Sequence, residues 1–429
     1  MGVNIAKNSK DRIVIIGGGF GGLEIARRLV KLDYQVVLVD KNNYHQFQPL
    51  FYQVATSGLE PSSIAFPFRR NFQRAKNFHF RLAEVERINR EEKSIETTLG
   101  KIDYDYLVIA AGAGNNFFGN KRIQKYALPM KSIVEALRLR NVILEQFEKA
   151  ISAPKEEGIA LLTLVIAGGG PTGVELAGTL AEMKRYILPK DYPEIEFEKM
   201  KIILVEGADR ILNAMSEKSS EKATGYLTEM GVEVRVSTRV SDFDGKIVLL
   251  DDETKIASRS LIWAAGIKGN YFDGLPEEAK GHGNRILVDE YNLVNGSNEI
   301  FAIGDVALMV NDDYPRGHPQ LAQVAIQQGK LLAKNFKLRV KHQVLRKFRY
   351  KNLGSMATVG RNKAVVELPK FKFYGFFAWL VWMVIHLRSI LGIRNKFLIF
   401  MNWVWNYITY NLSLRLIIKR NDSVAKNLD

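Results

Sequence analysis

Two glycine runs carry the clearest chemical signal in this 429-residue chain. Gly17-Gly18-Gly19-Phe20-Gly21-Gly22 and Gly168-Gly169-Gly170-Pro171-Thr172-Gly173 both satisfy G-x-G-x-x-G, and both sit between a short apolar run and apolar residues at helical spacing. Such a turn lets backbone N–H groups approach a pyrophosphate that side chains would block, and the following helix adds partial positive charge. The next apolar run ends on an acid in each case, Asp40 and Glu206, placed to accept ribose hydroxyls. Two dinucleotide sites are therefore expected. An acid at Glu206 repels a 2′-phosphate and favours NADH over NADPH, unless Glu206 only caps its strand end.

Glu175 falls in the first turn of the second nucleotide helix, either as a proton relay or as a charge complementing the helix N-terminus. Gln323 and Gln327 lie four apart on one face of a helix predicted from Pro319 to Phe336. Their amides could donate to a carbonyl acceptor; glutamines on a helix are otherwise solvated. There is no cysteine, so disulfides, thiolate metal sites and thiol redox chemistry are excluded, and any electron transfer needs a bound cofactor. The histidines at 45, 79, 282, 318, 342 and 386 share no ligand spacing, and no metal site is expected. No G-x-S-x-G elbow or Walker lysine accompanies the glycines.

The elements that must position these residues form a duplicated pattern. Arg12 to Ile16, Leu23 to Leu29 and Gln35 to Asp40 read as strand, helix and strand; Leu161 to Ala167, a helix from about Val174, and Lys201 to Glu206 repeat it. Alternating residues from Gly231 to Ala257 predict further strands. The expected class is α/β, with two Rossmann-type dinucleotide-binding domains plus a C-terminal membrane-associating region with amphipathic helices. The expected boundaries are 1–125 with 285–345, then 126–284, then 346–429.

The net charge of +15 belongs to the tail: residues 331–429 carry +16 and the other 330 sum to −1. The tail also holds Trp379, Trp382, Trp403 and Trp405 of the five tryptophans. Basic and aromatic residues on apolar segments suit a lipid surface rather than nucleic acid. Phe373 to Leu387 is too short to span a core that needs roughly 20 residues. Phe397 to Leu414 carries Asn402, Asn406, Tyr410 and Ser413 as a polar stripe. Both read as interfacial helices, flanked by Arg394, Lys396, Arg415, Lys419 and Arg420, or as a homodimer interface. Truncation after about Pro369 is expected to leave a soluble nucleotide-binding protein. No secretory signal is visible, so the main body is expected on the cytoplasmic face of the cell (inner) membrane.

Two more strand ends, Tyr106 to Gly112 and Phe301 to Asp305, complete a resemblance to the two-dinucleotide-binding-domain flavoproteins. In that superfamily a terminal Gly-Asp holds the ribityl chain of FAD, and Trp263-Ala264-Ala265-Gly266 is similar to its segment near flavin and nicotinamide. Gln320 to Gly329, with Phe47-Gln48-Pro49-Leu50-Phe51 and Leu353 to Gly360, resembles the type II NADH:quinone dehydrogenases, over nearly the whole chain from Arg12 to about Tyr410. The resemblance implies FAD on Gly17, Gly19, Phe20, Gly22, Asp40, Lys41, Gln48, Ala111, Gly112, Asp305 and Ala322. It implies NADH on Gly168, Gly170, Pro171, Gly173, Glu175, Glu206, Ala265 and Gly266, and a quinone on Gln323 and Gln327, with Glu175 and Gln323 catalytic. The implied reaction is hydride transfer from NADH to FAD, then quinone reduction without ion pumping. A flavin reductase serving a protein carrier, or a slow redox sensor, would share both nucleotide sites.

Overall fold

The computed structural model describes residues 3–410 and 414–418. The first nucleotide motif is built from β1 (Arg12–Ile16), α1 (Phe20–Leu29) and β2 (Gln35–Asp40). Every residue of β1 is buried, as in a parallel strand covered on both faces. α1 turns Leu23, Ile25, Ala26 and Leu29 inward and ends on Arg27 and Arg28, cations suited to a helix C-terminus. A short helix α2 (Phe51–Ala55) precedes β3 (Phe78–Leu82) and β4 (Tyr106–Ile109).

The second motif opens with β5 (Leu128–Pro129) and α3 (Ile133–Ser152), which Ser132 caps by accepting the Glu135 N–H. β6 (Thr163–Ala167), α4 (Pro171–Tyr186) and β7 (Lys201–Val205) repeat strand, glycine turn, helix and strand. α4 begins at Pro171, ahead of the predicted Val174, because proline at a first helical position sacrifices no hydrogen bond. α5 (Glu217–Glu229), β8 (Glu233–Arg235) and β9 (Ser260–Trp263) follow.

The chain continues through β10 (Ile300–Ala302) and α6 (Ala322–Val340); the latter starts after the predicted Pro319 because Leu321 is still extended. It ends in β11 (Ser355–Thr358), β12 (Ala364–Glu367), β13 (Lys372–Tyr374), α7 (Phe376–Ser389) and α8 (Ile393–Thr409).

Two compact units result. The first takes residues 3–46, 65–115 and 267–353; the second takes 47–64, 116–266, 354–410 and 414–418. This division differs from the three expected regions. Residues from 354 onward join the second unit, where β12 and α7 share a core through Ala364, Val366 and Ala378. So does 47–64, which side chains of α8 tie down: Asn395 Nδ2 donates to the Ser62 and Ser63 carbonyls, and Trp403 Nε1 donates to Gln53 Oε1.

The first unit centres on a parallel sheet in the order β10-β4-β1-β2-β3. Parallel pairing brings the C-terminal ends of these strands to one edge, where an open α/β sheet binds its ligand. Gly17, Ala111, Gly112 and Asp305 follow those ends, and Asp40 is the last residue of β2. The second unit has an equivalent parallel sheet, β5-β9-β6-β7-β8, whose edge carries Gly168, Glu206, Ala265 and Gly266.

No helix among the described residues is long and apolar enough to cross a membrane. α8 is amphipathic, but in the reverse sense to that expected of a polar stripe facing water. Asn395, Ile399 and Trp403 are its buried face, and Asn406 Nδ2 donates to the Gly58 carbonyl, so its asparagines satisfy backbone within the unit. The exposed side carries Phe397, Trp405 and Ile408. Arg415, expected to flank the apolar segment at a lipid surface, pairs with Asp191. Ser413, Lys419 and Arg420 lie outside the described residues.

Candidate active site

In the first unit, α1 starts at the glycine turn with Gly19 as its N-cap and no side-chain cap, so its first N–H groups point to the turn. A Cβ on Gly19 would meet nothing within 4 Å, whereas one on Gly22 would lie 1.9 Å from the Gly17 carbonyl oxygen. Open space and close backbone contact coexist in one loop, as a bound pyrophosphate requires. The Gly18 N–H donates to Asp40 Oδ2 and the Asn42 N–H to Oδ1, both at 2.7 Å, holding the carboxylate beside the turn. Burial raises the Asp40 pKa, and these two bonds oppose the rise. Lys41 is exposed next to it. Phe20 meets the His45 ring edge-on at 5.2 Å.

At the same sheet edge Gly304 has φ +75°, and its N–H donates to Gln328 Oε1 at 2.7 Å. Gln320 Nε2 donates to the Asp305 carbonyl at 3.0 Å. These bonds fix the Gly-Asp turn. Gln328 and Gln320, not singled out from sequence, are therefore positioning residues, as is buried His45, whose Nδ1 is 2.9 Å from the Gly18 carbonyl. Ala111 and Gly112 are half-buried, and Ala322 opens α6. The residues of this unit fit FAD, which supplies a two-electron acceptor and donor when bound. Gln48 belongs to the second unit.

The second unit repeats the cradle. Gly170 caps α4 with open space at its Cβ position, and a Cβ on Gly173 would lie 1.9 Å from the Gly168 carbonyl oxygen. Glu206 accepts from the Gly169 N–H at 2.6 Å and the Ala208 N–H at 2.8 Å. Glu206 thus does more than end its strand: it is oriented on the glycine turn. Pro171 and Ala265 are exposed, and Gly266 is half-buried against Phe118.

Glu175 is buried, only 7% exposed. Its Oε1 accepts a long 3.4 Å bond from the Thr358 N–H, and Trp382 stands close by without closing a hydrogen bond of ordinary geometry. Burial pushes its pKa up to about 8, so it holds a proton at neutral pH and is poorly suited to complement a helix dipole as an anion.

Thr358 and Trp382 form part of the wall of a cavity of about 140 Å³. Tyr52, Trp379, Trp403, Tyr407 and Tyr410 also line it, with Glu182 and Arg361 as its charged members. Arg361 lies between the Tyr407 and Tyr410 rings, 3.8 and 3.9 Å from their centroids. His386 stacks on Trp382 at 4.0 Å, and burial lowers its pKa to about 4. Sequence reading missed this set because its members come from α2, α4, α7, α8 and the loop after β11; the available signal was Glu182, two turns after Glu175 on the same helix face.

Gln323 and Gln327 lie on α6 of the first unit. Gln323 Oε1 accepts from the Leu353 N–H at 2.9 Å. Gln327 donates to the Lys351 carbonyl at 2.9 Å and accepts from the Lys351 N–H at 3.0 Å. Both glutamines therefore secure the 351–353 segment, and a quinone contact through Gln327 requires breaking those bonds. No group of three or more metal-ligating side chains occurs among the described residues.

Comparison with known proteins agrees with this geometry. The model of the pyridine nucleotide-disulphide oxidoreductase family matches residues 11–329, and that of the NDH2 C-terminal domain matches 352–409. The type II NADH:quinone oxidoreductase Ndh of Mycobacterium tuberculosis is 34% identical over 416 residues, covering 93% of this chain and 89% of that protein. The Staphylococcus saprophyticus type II NADH:quinone oxidoreductase is 28% identical over 363 residues, covering 83% and 89%. The structure of NDH2 from Plasmodium falciparum in complex with NADH shares the fold, with a TM-score of 0.88 at 24% identity, covering 96% of this chain and all of that one.

Two dinucleotide cradles on parallel sheets, in a chain without cysteine, define a pyridine-nucleotide flavoprotein that does not work through a disulfide. Within that class the chain belongs to the type II NADH:quinone oxidoreductase family. It binds FAD, oxidises NADH and reduces a quinone, and it does so without pumping ions.

Proposed function

We propose that the aromatic cavity of the second unit receives the quinone, which reaches it from a lipid surface on which the outer faces of α7 and α8 rest. The observation that carries the reading is the pairing of that cavity with an apolar exterior on the same two helices. Phe377 is 74% exposed, Val384 65% and Ile408 72%, while Trp382 and Trp403 of the same helices face inward. Contiguous exposed apolar residues mark an interaction surface. The cavity volume is that of about ten water-sized positions, enough for a quinone ring.

Glu175, behind the Thr358 and Trp382 wall, is a proton-holding group beside the cavity in this reading. The nucleotide residues keep the assignments given above. NADH is a charged phosphate ester that does not cross a bilayer, which supports the cytoplasmic face of the membrane as the site of action. Arg388 and Arg394 are exposed beside the apolar faces and suit an anionic leaflet. Pairing of two copies through the same faces is the competing use of this surface.

The test is the triple variant Phe377→Ser, Val384→Ser, Ile408→Ser. It is expected to stop floating with anionic liposomes and to lose turnover with a long-chain quinone in the bilayer, while turning over a water-soluble short-chain quinone as before. Unchanged flotation would overturn the docking surface, and a dimer dissociating in its place would assign the face to self-association.

A further inference from the structure

NADH supplies two electrons and one hydrogen to a quinone, so each quinol formed needs one more proton from solution. If the cavity is the quinone's, as proposed above and on which this inference rests, that proton must cross an aromatic wall. Glu182 is the one carboxyl group among the described residues that line it. It lies seven residues after Glu175 on α4, two turns and about 10 Å along the same helix face.

Tyr52 lines the same cavity as Glu182. Its hydroxyl is oriented by a chain of hydrogen bonds: Trp403 Nε1 donates to Gln53 Oε1 at 2.8 Å, and Gln53 Nε2 donates to Tyr52 Oη at 2.9 Å. A phenol oxygen that accepts from an amide has its own proton left to donate. We propose that Glu182 is the group through which the proton enters, passing it to Tyr52 as Tyr52 passes its own to the quinone oxygen in the cavity. In that step the Glu182 O–H bond breaks as a Tyr52 O–H bond forms, the original Tyr52 proton makes the second O–H bond of the quinol, and solvent reprotonates Glu182. No electrons move and no other reactant is needed.

The surroundings of Glu182 suit such a group. The Arg361 N–H donates to Glu182 Oε1. The other charged or titratable groups facing it are the Arg361 guanidinium and Lys363, with Tyr52 from α2 and, lining the same cavity, Tyr407 of α8 and Tyr410 just after it. Lys363 also pairs with Glu229 at 2.6 Å, and Arg361 is held by Tyr407 and Tyr410, so both cations are partly engaged elsewhere. Burial outweighs the two cations and raises Glu182 to about 7, where a carboxyl both takes up and releases a proton near neutrality.

The experiment uses the FAD-loaded enzyme with Glu182→Gln, Glu182→Asp and Tyr52→Phe, assayed with a short-chain quinone and with ferricyanide, which needs no proton. Glu182→Gln and Tyr52→Phe are expected to lower the quinone kcat by at least about tenfold near pH 8 at unchanged quinone KM, while ferricyanide turnover stays at the parent rate. Glu182→Asp is expected to restore quinone turnover with a displaced pH profile. The infrared carbonyl band of a protonated carboxyl that titrates near neutrality is expected to vanish in Glu182→Gln. A quinone kcat within about twofold of the parent across pH 6 to 9, with that band lost, would overturn the proposal, as would a change confined to KM. In parallel, Trp379→Ala with an unchanged quinone KM would fault the cavity itself, whatever Glu182 does.

Discussion

Glu175 carries its proton well into the neutral range because the fold takes it out of water and returns one long hydrogen bond. Its folded pKa of about 8 lies above the ordinary 4.5, so the native state binds the proton more tightly than the unfolded chain does. The stability it contributes is therefore full below the unfolded value and is lost as pH rises from about 4.5 through about 8. The steepest loss for one such group is about 1.4 kcal/mol per pH unit. Glu175→Gln, neutral at every pH, is expected to flatten the fall in Tm between about pH 5 and 8, read by calorimetry of the holoenzyme. An identical Tm profile would mean that Glu175 is solvated and ionised in the native protein, and a proton-holding role would go with it.

At the scale of elements, the two glycine turns were legible because their residue types follow from backbone geometry. Gly22 and Gly173 each lie so near a carbonyl oxygen that no side chain fits, and the acid closing the next strand is oriented by an N–H of the turn. Gly22→Ala must push α1 away from β1 and is expected to cost most FAD binding, measured as flavin retained through gel filtration. Full retention would show that the turn can yield without harm to the cradle. What was not legible is what distant segments bring together. The apolar and polar positions of α8 mark an amphipathic helix, but nothing in their spacing shows that Asn395 and Asn406 face inward to carbonyls of the 58–63 segment. Gln327 likewise sits where a solvated or ligand-binding glutamine would, and only the returning segment of residues 351–353 shows its amide occupied at both ends.

At the scale of the molecule, the basic, tryptophan-rich tail is not an appendage. Trp382, Ile399 and Trp403 are buried in the second unit, and α7 and α8 form one side of the aromatic cavity. Removal after Pro369 would strip that wall and expose Glu175, so truncation is a poor test of membrane docking, and substitution of outward residues is the right one. On the proposed docking, the net charge of the tail and the apolar faces would act together: attraction to an anionic leaflet weakens with salt, whereas burial of apolar area does not. The central claim, that electrons leave through the cavity of the second unit to a quinone, is tested most directly by steady-state NADH oxidation in the FAD-loaded Trp379→Ala enzyme, with a short-chain quinone and with ferricyanide as acceptors. The account predicts a quinone KM raised by about tenfold with an unaltered ferricyanide rate, the result of losing uniform binding at one apolar wall. An unchanged quinone KM would contradict it and move the quinone elsewhere on the protein.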